Sequence, residues 1–230
     1  MDYDVERVRA CFPALHDGTA YFDGPGGSQV PRQVAHAVAS TMAGGLSNRG
    51  TVTASERRAE EVVVGARAAM GDLLGCDPGG VVFGRSMTQL TFDLARALAK
   101  TWEPGDEVVV TRLDHDANIR PWKRVADALG MTVRWVDFDT ETAELRLDPS
   151  VLSERTRLVA VTGASNLLGT RPDLAGIAAA VHDAGALLFV DGVHLTPHAP
   201  GAVRDLGADF YACSPYKLSL IHISEPTRRS

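Results

Sequence analysis

The feature of this sequence that most restricts its fold is a regular alternation of short apolar runs and helix-like segments. Five runs rich in Val, Leu and aromatic residues have the length of β-strands, namely Glu107–Thr111, Met131–Phe138, Leu158–Thr162, Leu187–Val190 and Phe210–Cys213. Segments near Asn118–Leu129 and Asp173–Ala184 have the composition of helices and separate several of these runs. Because strand and helix alternate, the pattern predicts an α/β fold, with a mostly parallel sheet that helices cover on both faces.

The N-terminal part of the chain is predicted to be helical. Residues 32–43 are helix formers, and the two glycines that follow end this segment. Thr53 and Glu56 have the spacing of a capping box, which predicts the start of a long helix that continues to about Leu74.

A third helix is predicted further along the chain. Val81–Phe83 reads as a short buried strand, and Ser86 then caps a helix that runs to about Trp102. With no clear linker in the sequence, we expect an N-terminal segment over residues 1–50 and one large domain over residues 51–217.

The composition excludes several classes of protein. It is 45% hydrophobic and 23% charged, which is ordinary for a globular chain. Lys and Arg number 23 against 29 Asp and Glu, and no stretch is strongly basic, so we expect no nucleic-acid partner. No apolar run approaches the ~20 residues of a membrane span. An N-terminus without a signal-like apolar stretch and three scattered cysteines predict a soluble cytoplasmic protein.

The last 13 residues, LSLIHISEPTRRS, differ in composition from everything before them. They contain two isoleucines and no Ala, Val, Gly or Asp, whereas the first 217 residues contain only two isoleucines in all. This string closely resembles the translated read-through of a transposase adapter used in preparing sequencing libraries. We therefore expect residues 218–230 to be non-native, and residues 1–217 to be the N-terminal part of a longer protein.

Polar residues follow the predicted strands, where the ligand of an open parallel sheet binds. Ser86 and Thr88 lie at a helix start, which suits either a phosphate or a simple N-cap. Asp191 follows an apolar strand, where it could cap a helix, bind a metal or hold a protonated ring nitrogen. Lys217 follows another strand, and a desolvated lysine forms Schiff bases. Together with the imidazole of His115, this set matches what pyridoxal phosphate requires.

The motifs in this order resemble the class V aminotransferases, in particular the cysteine desulfurase and selenocysteine lyase branch. The matching segments are YFDGPGGS at 21–28, LDHDANI at 113–119, ASNLLGT at 164–170, VDG at 190–192 and SPYK at 214–217. The resemblance implies the large domain of the pyridoxal-phosphate-dependent transferase fold type I, with the small C-terminal domain missing from this chain. It also implies a homodimer.

The resemblance also implies roles for single residues. Lys217 would be the Schiff-base lysine and an acid and base, and Asp191 would hold the pyridine nitrogen. His115 would stack on the cofactor ring and Asn166 would lie beside it. Thr88 and Ser214 would contact the phosphate. Ser86, where Ser86-Met87 replaces a Gly-Thr pair of the family, is a further phosphate candidate because it lies at the helix start.

Several positions depart from the family pattern and leave the substrate open. His194 stands where the family has a Gln that hydrogen-bonds the ring hydroxyl of the cofactor, so an imidazole would make this contact. Tyr216 replaces the His before the lysine. The family's nucleophilic Cys and its carboxylate-binding Arg belong to the C-terminal part, and Cys213, on a predicted buried strand, does not replace that nucleophile.

Two other functions remain open on the residues alone. Asp191, His194 and His198 have a spacing that could bind zinc or iron for a metal-dependent hydrolase. The chain could equally be an inactive truncated fragment. Nucleotide-binding fingerprints are absent from the sequence, since neither GxGxxG nor GxxxxGK occurs.

Overall fold

The computed structural model describes residues 4–22, 24–199 and 202–218, which form two compact units. The first unit consists of the described residues up to Val82 together with 215–218, and the second is Phe83–Ser214. The predicted non-native tail lies outside the described residues from position 219 onward, as does Asp23 in the N-terminal motif. Division of the chain at residue 50 stays a prediction.

The second unit contains a five-stranded parallel sheet. Its strands are β1 (Glu107–Thr111), β2 (Thr132–Val136), β3 (Thr156–Thr162), β4 (Leu187–Asp191) and β5 (Phe210–Ala212). They lie in the order β2-β1-β3-β4-β5, and every pair is parallel. The predicted α/β fold with a parallel sheet is therefore confirmed.

Three helices cover the two faces of this sheet: α4 (Met87–Leu98), α5 (Arg120–Leu129) and α6 (Leu174–Asp183). Alternate residues of β3 point to opposite faces, so Leu158 and Val159 belong to different buried clusters. The cluster with Leu158 includes residues of α4 and α5, and the cluster with Val159 includes residues of α6. Burial on both faces explains why β1, β3 and β4 are mostly apolar along their length, whereas the edge strand β2 is largely exposed.

The first unit contains three helices, α1 (Val5–Arg9), α2 (Arg32–Ala43) and α3 (Ala54–Leu74). The capping box predicted for α3 is present: the Glu56 N–H donates to Thr53 Oγ1 over 3.2 Å, and Glu56 Oε2 accepts from the Thr53 N–H over 2.8 Å. Gly75, with φ of +61°, ends the helix in the left-handed conformation that glycine adopts without strain. Both predicted N-terminal helices are thus confirmed.

A short turn near the end of the described chain also belongs to the first unit. Residues Pro215–Lys217 form a 3₁₀ turn, and the backbone N–H and the hydroxyl of Ser28 both donate to the Tyr216 carbonyl, over 2.9 and 3.0 Å. A Cβ at Gly27, where φ is +146°, would lie 3.5 Å from the Tyr216 ring. Two segments of the N-terminal and lysine motifs, far apart in sequence, therefore pack directly on each other.

Some predicted boundaries are wrong. Residues 81–83 do not form a strand: Val82 is 68% exposed and Phe83 47% exposed, so this apolar run is not buried as expected. Helix α4 ends at Leu98 and continues only as a 3₁₀ turn to Thr101. Strand β5 stops at Ala212, one residue before Cys213, and is half-buried rather than buried.

None of the helices in the described part of the chain combines the length and the apolar character that a bilayer crossing requires.

Candidate active site

Most of the predicted site residues come together at one edge of the sheet. The carboxyl ends of parallel strands share an edge, so the segments after β1, β3, β4 and β5 meet there. The predicted residues on these segments are His115, Asn166, Asp191, His194 and Ser214. Neighbouring strands align Thr162, Asp191 and Ala212 at the same level. The sheet therefore presents these residues on its carboxyl edge, as the sequence predicts.

Asp191 is the last residue of β4 and is only 5% exposed. Its Oδ1 accepts the Val193 N–H over 3.0 Å, which holds the carboxylate against the start of the following turn. The next residue, Gly192, must lack a side chain, because a Cβ there would lie 1.9 Å from the Tyr211 ring. The Asp-Gly pair is thus a packing requirement as well as a motif.

The turn after Asp191 is tied to β5 by two hydroxyl groups. The Thr196 hydroxyl donates to the Gly192 carbonyl over 2.7 Å, so the Tyr211 hydroxyl, 2.8 Å away, donates to Thr196 Oγ1. Burial raises the pKa of Tyr211 to about 12, which keeps this phenol protonated at neutral pH. His194 is half-buried on the same turn. The sequence analysis missed Tyr211 and Thr196. The only sign of them in the sequence is Gly192, which is required because the Tyr211 ring lies against it.

His115 caps the 3₁₀ turn Asp116–Asn118 that follows β1. Its Nδ1 accepts the Ala117 N–H over 3.1 Å, so the neutral imidazole carries its proton on Nε2. The residue is exposed, whereas Ala117 and Asn118 behind it are buried. The ring is therefore oriented by the backbone and open on the other side.

The residue before His115 is a functional candidate that the sequence analysis missed. Asp114 Oδ1 accepts the Asn118 Nδ2–H over 2.6 Å, and the Thr111 hydroxyl donates to Oδ2. Part of the residue's surface is accessible, yet its carboxyl group lies deep among protein atoms. This desolvation, with a contribution from the charge of Asp191, raises the pKa of Asp114 to about 7. Sequence alone gave no signal, because a polar residue in a turn is ordinary.

Asn166 lies half-buried in the loop after β3. The Ser165 N–H donates to the Thr170 carbonyl over 2.9 Å, which closes this loop. The side chain of Ser165 accepts two backbone N–H groups from inside the loop, over 3.3 and 3.2 Å. Gly169 has φ of +73°, a conformation that favours glycine. The SN-x-x-GT motif thus encodes a loop of defined shape beside Asn166.

The start of α4 carries Ser86 and Thr88. Ser86 Oγ accepts the Gln89 N–H over 3.2 Å, which confirms the predicted cap, and both residues are exposed. Between them, Met87 is buried in the same cluster as Ala117, so this helix start packs towards the segment after β1. The first turn of the helix therefore presents N–H groups and the positive end of the helix dipole near the carboxyl edge.

Lys217 and Ser214 belong to different units. Ser214 is the last residue of the second unit and is 3% exposed. Lys217 lies in the 3₁₀ turn of the first unit, half-buried, with Nζ 5.7 Å from the centre of the Tyr216 ring. The predicted role of Lys217 beside Asp191 stays a prediction.

The alternative metal site does not form. Among residues 4–22, 24–199 and 202–218, no three His, Cys, Asp or Glu side chains are placed to hold a metal ion, and His198 is exposed. The spacing of Asp191, His194 and His198 in the sequence is therefore misleading as a metal signature.

Comparisons with known proteins place this arrangement in a family. Residues 20–219 match the family described as aminotransferase class-V. A protein of Mycobacterium tuberculosis, uncharacterized protein MT3887, is 43% identical over 91% of this chain and 53% of its own length. A cysteine desulfurase of Dickeya dadantii is 36% identical over 94% of this chain and 55% of its own length. The chain thus spans about half the length of these relatives.

The fold has a counterpart among solved structures. The cysteine desulfurase CsdA from Escherichia coli superposes with a TM-score of 0.84 at 29% sequence identity, over 95% of this chain and 56% of that chain. The α/β fold, the motifs at the carboxyl edge and a sequence match over most of the chain agree. The chain belongs to the class V aminotransferase family and is similar to cysteine desulfurases.

Proposed function

We propose that the full-length protein is a pyridoxal 5'-phosphate-dependent enzyme of the cysteine desulfurase type that acts on an amino acid. The observation that carries this proposal is the buried carboxylate of Asp191 at the carboxyl end of an inner strand of the sheet. The chain belongs to the class V aminotransferase family, which gives this carboxylate its meaning. Relatives named cysteine desulfurase support the substrate class.

The chemistry of the residues present fits this cofactor. The Asp191 carboxylate suits a protonated pyridine nitrogen, because a buried anion is stabilised by a cationic donor. The first turn of α4, a helix of 12 residues, suits a phosphate, with Ser86 and Thr88 beside it and Ser214 as a further hydroxyl. An exposed imidazole at His115 suits stacking on an aromatic ring. Asn166 and His194 offer an amide and an imidazole for the ring hydroxyl.

Each residue has a separate task in the proposed reaction. When bound, the cofactor supplies an electron sink for negative charge at the substrate Cα. Asp191 would keep the ring nitrogen protonated, and the Nδ1 contact of His115 with the Ala117 N–H holds the imidazole in one orientation. Lys217 would be the amine that holds the cofactor, and its Nζ would carry protons to and from the substrate.

Two further properties are part of the proposal. We expect a homodimer and a cytoplasmic location, which the family resemblance and the composition support. Desulfuration of cysteine requires a nucleophilic Cys and a carboxylate-binding Arg, both in the part of the protein that follows Lys217. If the in-frame continuation in the source DNA encodes both, desulfurase chemistry is retained; a loop without Cys favours another lyase or a transferase.

The decisive experiment compares two lysine variants of the full-length protein. We expect purified protein to show the visible absorbance of bound pyridoxal phosphate, and Lys217→Ala to abolish it because no amine remains to bond the aldehyde. The matched control is Lys123→Ala, which removes an exposed lysine paired with Asp127 at 2.9 Å on α5. An unchanged spectrum in the Lys217 variant would contradict the proposal, and a stoichiometric metal would favour the hydrolase.

A further inference from the structure

A second carboxyl group lies at the carboxyl edge of the sheet and has no task in the proposed reaction. Asp114 follows β1 and Asp191 ends β4, with only β3 between these strands. The charge of Asp191 acts on Asp114, and the Thr162 backbone amide at the end of β3 contributes a hydrogen bond to it. Since two negative charges are costly in a desolvated region, such a pair is most stable with one carboxyl group neutral.

Asp114 also links the segment that carries His115 to the rest of the unit. Its two oxygens join Thr111, the last residue of β1, to Asn118 in the 3₁₀ turn. Asn118 is fully buried, and its Oδ1 accepts the Trp122 Nε1–H over 3.2 Å. The Trp122 ring packs edge-on against Phe189 of β4, with ring centres 5.2 Å apart. A continuous set of contacts therefore runs from β1 through Asp114 to the strand that ends in Asp191.

We propose that Asp114 is a positioning residue: it holds the turn that presents His115, and as the neutral member of the carboxyl pair it leaves the negative charge on Asp191. This inference rests on the proposed function, in which Asp191 meets the cofactor nitrogen and His115 the ring. It adds to that function a residue whose protonation matters although it need not touch the cofactor.

The groups around Asp114 act on its protonation in opposite directions. Desolvation and the charge of Asp191 raise its pKa, and they outweigh the hydrogen bonds donated by Thr111, Asn118 and the Thr162 amide, which lower it. His115, the next residue, directs Nδ1 to the Ala117 N–H. Asp116 is 60% exposed at its side chain and pairs with Arg120 over 2.7 Å, so its charge is balanced and solvated.

The test compares three variants of the full-length protein. In Asp114→Asn the amide oxygen still accepts from Asn118, and its NH₂ group can donate to the Thr111 oxygen, so the variant mimics the neutral acid. Asp114→Ala removes both contacts. The matched control, Asp116→Asn, makes the same chemical change on an exposed carboxylate two residues away. If Asp114→Ala does not fold, Thr111→Val removes one of the two contacts with little change of volume.

Cofactor affinity is measured at pH 6, and the His115 imidazole at pH 8, above the ordinary histidine pKa of ~6.5. We expect Asp114→Asn and Asp116→Asn to bind pyridoxal phosphate within about threefold of the unaltered protein, and Asp114→Ala to bind roughly tenfold or more weakly. In ¹⁵N NMR of the imidazole, the Nε2–H form should persist in the Asn variant and give way to a mixture in the Ala variant. Equal losses in the Asn and Ala variants, or none in either, would overturn the proposal.

A second experiment measures how thermal stability depends on pH, in the protein without cofactor. We expect the thermal midpoint of the unaltered protein to fall relative to that of Asp114→Asn as pH rises from 5 to 8, because only the former ionises at this position. A constant difference would show that Asp114 acts as an anion or a spacer and contradict the proposal. If the unaltered protein binds no pyridoxal phosphate, the proposed function fails, whereas this experiment still decides the protonation of Asp114.

Discussion

The pKa values of carboxyl groups are shifted in opposite directions at the two edges of the sheet. At the amino edge, Asp106 pairs with Arg157 over 2.9 Å and Glu107 with Arg134 over 2.6 Å, and these guanidinium groups hold both carboxyl pKa values below their usual range. At the carboxyl edge, burial raises the pKa of Asp114 to about 7.

This difference indicates that the acids at the amino edge stabilise the fold, whereas those at the carboxyl edge belong to the candidate site. The amino-edge acids have their counter-charges within the chain, so their contribution is structural. At the carboxyl edge, desolvation and the charge of Asp191 raise the pKa of Asp114, an effect that costs stability and is typical of binding and catalytic sites. The same chemical group therefore has its pKa lowered at one end of the strands and raised at the other.

The largest effect is expected from Asp191→Asn in the full-length enzyme. The amide keeps an oxygen for the Val193 N–H but removes the charge, so we expect turnover to fall at least about 100-fold with little loss of folding stability. Steady-state kinetics and denaturant unfolding measure the two quantities. A variant that unfolds readily but, once folded, keeps its turnover would make the two edges equivalent.

A smaller effect, of the opposite type, is expected at the amino edge. Glu107→Gln leaves Arg134 without its partner and removes the charge that accepts from Ser153 over 2.7 Å. We expect the free energy of unfolding to fall by about 2 kcal/mol, with unchanged turnover of the folded enzyme. Denaturant unfolding checks this value.

The matched control for Glu107 is Glu144→Gln. Glu144 pairs with Arg146 at the surface, where the two side chains are 55% and 86% exposed. Because solvent screens such a pair, its loss should change the free energy of unfolding by less than about 0.5 kcal/mol. Equal losses in the two variants would contradict the structural role of the amino edge.

The smallest effect is the acid dependence of stability. Asp106 and Glu107 bind protons more weakly in the folded than in the unfolded state, so their stabilisation is present above pH ~4.5 and is lost as pH falls below it. Asp114 has the opposite sign, and its stabilisation is lost as pH rises towards 7. In unfolding measurements from pH 3 to 8, Arg157→Gln should lower the free energy of unfolding above pH ~4.5, where the pair is charged, and so make its decrease towards pH 3 shallower.

Local signals account for the parts of the fold that were predicted correctly. Helix α3 begins at the capping box of Thr53 and Glu56 and ends at Gly75, all of which are contacts within one turn of the chain. The strands were recognised because burial on both faces requires continuous apolar runs. The error at 81–83 arose from the same rule, since an apolar run of three residues does not reveal whether a neighbouring strand covers it.

The candidate site was predicted only as far as strand order and resemblance reach. Asp191 could be singled out because a polar residue after a buried strand is conspicuous, and His115 because of the family resemblance; their roles stay predictions. Asp114, Tyr211 and Ser28 could not, because the contacts that give them a role are with Asp191, Gly192 and Tyr216, which come from distant segments. No periodic pattern in the sequence predicts contacts between such distant segments.

The sequence by itself determined the class of fold, the capped ends of α3 and the polar positions at the strand ends, because these depend on burial patterns and capping within short segments. Only the tertiary structure decided which carboxyl groups pair with an arginine and which have their pKa raised by desolvation and the charge of a second carboxylate. The physical reason is that the free energy of a charged group depends on how far it is removed from water and on the groups that surround it in space. Those neighbours are set by the order β2-β1-β3-β4-β5, not by distance along the chain.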